Sequence, residues 1–351
     1  MVILSLFDGI ACGRLALERA GLPVDAYYAS EIDKDAIGIA LYNHLDVTEI
    51  GSVTDISYDR ETGCLHTARN TVEVGKVDLV MAGSPCTDFS TVGLSRGMVC
   101  GETEIVSLPQ YLDLKNRGFS FTGQSYLFWE FVRLLEEVKP KWFLLENIVM
   151  PNKWRKIVDD ALGTEPIKIS SALVSAHGRT RLYWTNIPNV GEPDDRNILL
   201  ENILDRNASN EDVSGCQTVQ LSFADMEKKY GYIPKTFNPF NRKELTTKAC
   251  NLSRGSMVTS SCATLLFVKT EDGVHEAKDG ILDGKYHTPL KDGRYNLRKL
   301  SLTEMERLQT LPDGYTDIAG ISKQKRGGCI GNGWTVDIIA HILSNIPKEN
   351  I

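Results

Sequence analysis

Residues 2–20 read VILSLFDGIACGRLALERA. Val2–Phe7 has the length and apolar run of a buried strand, and Asp8–Gly13 is a glycine-bearing turn. Arg14–Ala20 carries helical spacing, and Gly21 stops it. Strand, turn and helix in that order open an α/β fold, and the unit recurs. Ala26–Ser30 predicts a second strand ending at Glu31, and 35–42 a second helix. Val77–Ala82 predicts another strand. Tyr126–Val138 is an amphipathic helix closed by Lys139 and Pro140, and Trp142–Leu145 is a strand running into Glu146 and Asn147. Repeated units of this kind predict a doubly wound, mostly parallel sheet.

The rhythm breaks twice. Residues 95–124, rich in Gly and Ser, predict a long loop, a length that usually marks function. After Pro188 the segments become short and mixed, and four Asp-Gly pairs (272–273, 279–280, 283–284, 292–293) predict hairpins or tight loops. The expected division is a first domain over 1–190 and a smaller, irregular domain over 191–297. A last segment, 298–351, is expected to pack back on the first domain, with helical patterns at Thr303–Gln309 and Thr335–Ile346.

Composition excludes several classes. No stretch approaches the roughly 18 apolar residues of a membrane span. The N-terminal run lacks a basic flank and is interrupted by Asp8, a poor export signal. None of the eight cysteines forms a Cys-x-x-Cys pair and no two histidines stand at metal spacing, so no metal site is expected. Reduced thiols and a cytoplasmic or nucleoid-associated location follow as expectations. The net charge of −7 argues against a protein that coats nucleic acid, but it averages over the surface and leaves room for a basic face.

Ligands of open parallel sheets bind outside the carboxyl ends of the strands. Three features fall there. The turn Phe7, Asp8, Gly9, Ile10, Ala11, Cys12, Gly13 lets backbone approach a ligand. Glu31 ends the second strand, where an acid holds ribose hydroxyls. Gly83-Ser84-Pro85-Cys86 ends the strand from Val77. The first turn is not Gly-x-Gly-x-x-Gly and carries an acid where a pyrophosphate wants none. That disfavours NAD and favours a ribose, an adenine and a cationic or zwitterionic tail, which S-adenosylmethionine has. A plain strand-helix turn is the competing reading. For Cys86 alone the ordinary reading is a small buried hydrophobe.

Together these stretches resemble the cytosine-C5 DNA methyltransferases, with motifs in the family's order over nearly the whole chain. Phe7–Gly13 is similar to the cofactor loop, Glu31-Ile32-Asp33 to the ribose acid and its neighbours, and Gly83–Ser90 (GSPCTDFS) to the nucleophile motif. Glu146-Asn147-Ile148 is similar to Glu-Asn-Val, and His177–Arg181 (HGRTR) stands where the family has Gln-x-Arg-x-Arg. Arg298–Pro312 resembles the motif flanking the target-recognition region. Gly331–Val336 (GNGWTV) resembles the last motif, which closes the cofactor pocket. Details such as Leu6–Ala11, Thr303–Arg307 and Trp334 are most similar to the animal de novo type. Two departures stand out: Gly51-Ser52-Val53 replaces the usual Gly-Asp-Ile, and His177 replaces Gln.

The resemblance implies a Rossmann-like, S-adenosylmethionine-dependent methyltransferase fold with a target-recognition domain, acting on double-stranded DNA without membrane or metal. Cys86 is implied as the nucleophile at cytosine C6, because C5 is not nucleophilic enough unaided and a thiolate adduct makes it so. Glu146 is implied to bind the cytosine edge, and Arg179 and Arg181 to hold the base carbonyl, a phosphate or the catalytic loop. Their alternate spacing predicts one face of a strand. No side chain is assigned to removing the C5 proton. The cofactor is expected against Phe7, Asp8, Gly9, Ile10, Cys12, Gly13, Glu31, Ile32, Ser52, Val53, Pro85, Asn332, Gly333 and Trp334. The base must be flipped out of the duplex, so Ser90 and Arg96, just after the nucleophile, are expected to face substrate. Residues 226–256 hold seven basic side chains against two acidic ones, interleaved with Tyr230, Tyr232, Phe237 and Phe240. That suits phosphate contact, with a solvated loop the alternative; Thr246–Lys248 and Asn251–Gly255, which include Lys248 and Arg254, are the expected groove contacts. A cytosine-C5 RNA methyltransferase and a catalytically silent DNA-binding homologue are the competing functions, the second disfavoured by the presence of both Cys86 and Glu146.

Overall fold

The computed structural model describes residues 1–85, 97–100, 102–205, 217–221, 248–249, 252, 265–268, 280–282, 285–287 and 293–348. Contacts divide the chain into two units. The first holds Met1–Ile169, Thr180–Glu192 and Val336–Ile351, and the second Ser170–Arg179 and Pro193–Thr335. The stretch 298–335 therefore groups with the residues before it, and only the chain from Val336 groups with the N-terminal part.

In the first unit the strands are β1 (Val2–Leu6), β2 (Ala26–Ser30), β3 (Val47–Glu49), β4 (Ser57–Asp59), β5 (Cys64–His66), β6 (Thr71–Glu73), β7 (Leu79–Gly83), β8 (Val99–Cys100), β9 (Thr103–Glu104), β10 (Trp142–Ile148), β11 (Ile167–Ser170) and β12 (Thr180–Thr185). Seven form the main sheet in the order β11-β12-β10-β7-β1-β2-β3, while β4–β6 and β8–β9 form small sheets. The pairings β1–β2, β1–β7, β7–β10 and β2–β3 are parallel, and β12 runs antiparallel to β10. The mostly parallel, Rossmann-like sheet expected from the repeating units is present. Because β2 and β3 lie on one side of β1 and β7 on the other, the chain switches direction across the sheet between β1 and β7. A switch point opens a crevice at the carboxyl edge.

The central strands read as continuous apolar runs because both their faces are covered. Ile3, Leu4 and Leu6 of β1 and Leu79, Val80, Met81 and Ala82 of β7 are fully buried. The helices are α1 (Cys12–Arg19), α2 (Lys34–Asn43), α3 (Leu108–Asn116), α4 (Leu127–Val138) and α5 (Asn152–Leu162). The Asp33 side chain accepts from the backbone N–H groups of Asp35 and Ala36 and starts α2. Helix α4 buries Phe128, Trp129, Phe131, Val132, Leu134 and Val138. Each large side chain so buried contributes roughly 1.5–3 kcal/mol. Lys139 takes a left-handed conformation at its end, and Pro140 cannot continue it. The helix Val336–Leu343 packs on α1, and Arg19 pairs with Asp337 at 2.5 Å.

The stretch 95–124 is more ordered than its composition predicts: β8, β9 and α3 fall within it. Helix α3 is capped by Ser107 and carries Pro109 in its first turn, but among its residues only Tyr111 is buried. Its apolar stripe is too thin to read as a helix.

The second unit, expected to be irregular, contains a five-stranded sheet ordered Gln217–Leu221, Gly293–Lys299, Leu265–Val268, Gly280–Leu282 and Lys285–His287. Gly280–Leu282 and Lys285–His287 pair antiparallel, with Leu282 opposite Lys285. An apolar cluster includes Leu200, Leu252, Leu302, Met305, Leu308 and Ile330. The helix Leu302–Leu308 opens with reciprocal bonds between Ser301 and Glu304, a capping box. Among the described residues no helix is long and apolar enough to cross a membrane.

Candidate active site

The turn after β1 departs from ordinary backbone geometry. Phe7, Gly9 and Ala11 all have positive φ, at 56°, 65° and 59°. Left-handed φ is uncommon for a residue with a Cβ and is worth notice where two stand in one turn. Ala11 offers no side chain to cap α1, so first-turn N–H groups of the helix lack that partner. The turn is held from below. Asp8 accepts at one oxygen, Oδ1, from the hydroxyls of Ser5 at 2.6 Å and Tyr27 at 2.5 Å. The Glu31 carboxylate accepts from the N–H groups of Gly9 at 2.9 Å, Ile32 at 2.7 Å and Asp33 at 2.9 Å. Glu31 thus pins the end of β2 to the end of β1.

Carboxyl groups crowd at these strand ends. Burial pushes the Asp8 carboxyl up to about 6 against the pull of its two hydroxyl donors, and the Glu31 charge adds to the rise. Glu49, at the end of β3, is pushed up to about 8, first by burial and then by the charges of Asp8 and Glu31. Asp8 Oδ2 and both Glu49 oxygens are buried without a hydrogen-bond partner among the described residues. Crowded carboxylates with unused acceptors suit a ligand that brings positive charge and donors. Beside them Ile32 is 74% exposed, an unusual exposure for an isoleucine and a ready apolar face. Ser52 accepts from the N–H of Thr54 and starts the 3-10 turn Val53–Asp55, and Val53 is buried. Cys12 and Gly13 are buried in α1, so the Cys12 thiol belongs to the core and only backbone there is offered to a ligand.

The ends of β7 and β10 form the other side of the crevice. Glu146 stands opposite Gly83 in the parallel ladder and opposite Tyr183 in the antiparallel one. Its Oε1 accepts from Arg181 Nε at 2.9 Å, and each side chain is 10% exposed. Asn147 donates from Nδ2 to the carbonyl and hydroxyl oxygens of Ser84, at 3.3 and 3.0 Å. The Glu146-Asn147 dipeptide therefore aims an acid into the edge with one residue and ties down the Ser84-Pro85 turn with the next. Cys86, Ser90, Arg96 and Arg254 lie outside the described residues.

Strand β12 begins at Thr180, and Arg179 immediately precedes it. Arg179 donates to the carbonyls of Leu252 at 2.8 Å, Gly331 at 3.2 Å and Gly333 at 3.0 Å within the second unit. Gln309, fully buried, donates to the carbonyls of Ile330 and Gly333, both at 2.9 Å. These bonds fix the end of the helix Lys323–Asn332 and the stretch Asn332-Gly333-Trp334, in which Asn332 is exposed and Trp334 buried. Lys248 is likewise bonded to backbone. Its Nζ donates to the carbonyls of Ala172 at 2.8 Å, Ser175 at 3.1 Å and Ile198 at 2.5 Å. An ammonium has three donors, and all are committed to backbone rather than offered to a phosphate. His177, fully buried, meets the Thr335 hydroxyl at 3.3 Å, an internal position.

Sequence reasoning did not find Glu49, Gln309 or the tie from Asn147 to Ser84. An acid ending a strand beside two other strand-end acids was a usable signal for Glu49; the others depend on long-range contacts. Among the described residues no group of side chains is arranged to hold a metal ion.

Comparison with known proteins agrees with this geometry. Residues 1–156 match the family described as C-5 cytosine-specific DNA methylase. Over 146 residues the chain is 30% identical to the type II methyltransferase M.NlaX of Neisseria lactamica, covering 42% of this chain and 36% of that protein. Over 159 residues it is 29% identical to the orphan methyltransferase M.SPBetaI of Bacillus phage SPbeta, covering 42% and 33%. The matched stretch thus spans about a third of those curated relatives. Among solved structures, the Entamoeba histolytica methyltransferase EhMeth matches with a TM-score of 0.63 at 15% identity, covering 98% of this chain and 96% of that one. The S. pombe Dnmt2 methyltransferase matches with a TM-score of 0.58 at 14% identity, covering 97% and 96%. At those identities the structures speak for the fold.

Proposed function

We propose that this chain, which over residues 1–156 resembles the C-5 cytosine-specific DNA methylases, methylates cytosine C5 in double-stranded DNA using S-adenosylmethionine. One observation carries the reading. Carboxyl groups with unused acceptors end β1 and β3 at the switch point, and across β7 Glu146 is set by Arg181 while the Ser84-Pro85 turn before Cys86 is tied to Asn147.

S-adenosylmethionine supplies an electrophilic methyl group on a positively charged sulfur. Glu31 holds the ribose hydroxyls, Ile32 covers one face of the adenine, and Ser52 and Val53 border it. Asp8 and Glu49 offer acceptors that can take on charge beside a cationic ligand. Because the cofactor binds near them, both carboxyls are expected to lose their protons more readily in its presence. Glu146 binds the N3 and amino edge of a flipped cytosine, and Arg181 keeps that carboxylate aimed. Cys86 adds through sulfur to C6, the electrons displaced make C5 the nucleophile, and C5 would take the methyl group from the sulfonium sulfur, which would leave as S-adenosylhomocysteine. Once the C5 proton has left, the C6–S bond breaks and Cys86 is regenerated. The second unit reads the duplex through its basic stretch.

The test is methyl transfer from labelled S-adenosylmethionine to cytosine-rich duplexes and, in parallel, to tRNA. Label in 5-methylcytosine on DNA is expected. Transfer to tRNA alone would move the reading to an RNA enzyme, and cofactor binding without transfer would favour a silent homologue. A 5-fluorocytosine duplex should trap a covalent adduct, and equal adduct yield from Cys86→Ala would reject Cys86 as the nucleophile.

A further inference from the structure

The turn Ser52–Asp55 follows β3 and is short, so something outside it must hold its shape. The carbonyls of Val53 and of Ile56 just after the turn meet one side chain. Arg133, on α4, donates from Nη2 to the carbonyls of Ile56 at 2.8 Å and Val53 at 3.3 Å. The same guanidinium donates from Nε to Glu130 at 2.8 Å and from Nη1 to Glu137 at 2.6 Å. Its side chain is 10% exposed and Glu130 is fully buried. A guanidinium presents its donors in a rigid planar fork, and here the fork is fixed on one side by two carboxylates and reads two backbone oxygens on the other.

Both carboxylates are anchored in turn. Glu137 accepts from the backbone N–H of Tyr58 at 2.9 Å, so it also secures β4. Glu130 accepts from the hydroxyl of Tyr111 and from Lys115, both on α3. A continuous set of charge-assisted bonds thus runs from α3, through Glu130 and Arg133, to the backbone of Val53. A buried ion network is weak evidence for stability, since apolar residues of equal volume often do as well. Its geometry here is specific to two carbonyls in the pocket wall.

We propose that Arg133 is a positioning residue for the cofactor: by holding the carbonyls of Val53 and Ile56 it fixes the turn from which Ser52 and Val53 border the adenine. This rests on the methyltransferase reading above. The acid that the related motif carries is Ser52 in this chain, and the Ser52 hydroxyl is engaged with Thr54. Adenine recognition there depends on where the backbone stands, and Arg133 sets that.

Arg133→Lys keeps a cation for Glu130 and Glu137 but loses the fork. The parent and the variant are compared by calorimetric titration with S-adenosylhomocysteine and by steady-state methyl transfer. Affinity is expected to fall, and KM for S-adenosylmethionine to rise, by about tenfold, the effect of lost bonds to a charged donor, with kcat at saturating cofactor within about twofold. A KM within about twofold of the parent, or a kcat that falls as far as kcat/KM, overturns the proposal. Should Arg133→Lys not fold, Glu137→Gln, which loosens one anchor of the fork, is expected to raise KM by about threefold, and an unchanged KM overturns the proposal equally. A parent that binds no S-adenosylhomocysteine overturns the methyltransferase reading and this one with it. A parent that binds it as tightly as the variant does overturns this one alone.

Discussion

At the ends of β1, β2 and β3 three carboxylates crowd together with acceptors unused, whereas at the ends of β10 and β12 one carboxylate meets one guanidinium. The first arrangement is unbalanced: Asp8 and Glu49 are held above the ordinary carboxylate range by burial and by like charge. The second is balanced, with Glu146 and Arg181 in contact at 2.9 Å. The contrast teaches what each side is built to do. An unbalanced field attracts a ligand that completes it, while a balanced pair holds a direction. One sheet edge can serve both ends because strand register separates them by the width of β7.

The balanced side should be the more fragile in catalysis. Glu146→Gln is expected to lower methyl transfer by roughly 10²–10⁴-fold with S-adenosylhomocysteine affinity unchanged; equal loss of cofactor affinity would mean the two sides are not separable. Arg181→Leu leaves the Glu146 charge without its guanidinium in a nearly dry site. It should cost about 2–4 kcal/mol of stability, read in urea melts, along with activity. A variant as stable as the parent would show that the pair is solvated. Asn147→Ala removes the tie to Ser84 and is expected to cost about 1 kcal/mol and about a tenfold loss of kcat, with no change in KM for the cofactor.

The unbalanced side should show itself in pH dependence. A carboxyl raised in the folded protein favours its neutral form there. Its stability contribution is complete below the unfolded value of about 4.5 and is lost as pH rises through about 8. The Tm of the cofactor-free parent should therefore fall with rising pH across that range, and Glu49→Gln should flatten the fall and raise Tm at pH 8. Asp8 retains a smaller step near 6. Parallel Tm–pH curves for parent and variant would remove Glu49 from the account.

What was legible in the chain was what local pattern controls. β1 and β7 announce themselves because both faces of a central parallel strand are apolar. Helix α4 does so because its buried aromatics recur at helical spacing. Glu31 and Glu146 are visible as acids at the exits of such strands. Helix α3 was hidden by its single buried residue, Tyr111. For Arg179 and Lys248 the sequence shows a basic side chain but not the backbone carbonyls that the fold brings to each. Arg133 was invisible in its role because its partners Val53 and Ile56 lie 80 and 77 residues away.

The packing of α1 on the helix Val336–Leu343 has a consequence for how the chain is made. Arg19 leaves the ribosome 318 residues before its partner Asp337. At about 5–20 residues per second that is an interval of roughly 15–60 s. During it the nascent α1 lacks the cover it has in the finished protein, and its apolar side must be shielded by the growing chain or by a chaperone. Expression yield should therefore respond to chaperone supply and translation speed, and an excised fragment ending near Glu192 should aggregate unless the missing helix is supplied as a peptide.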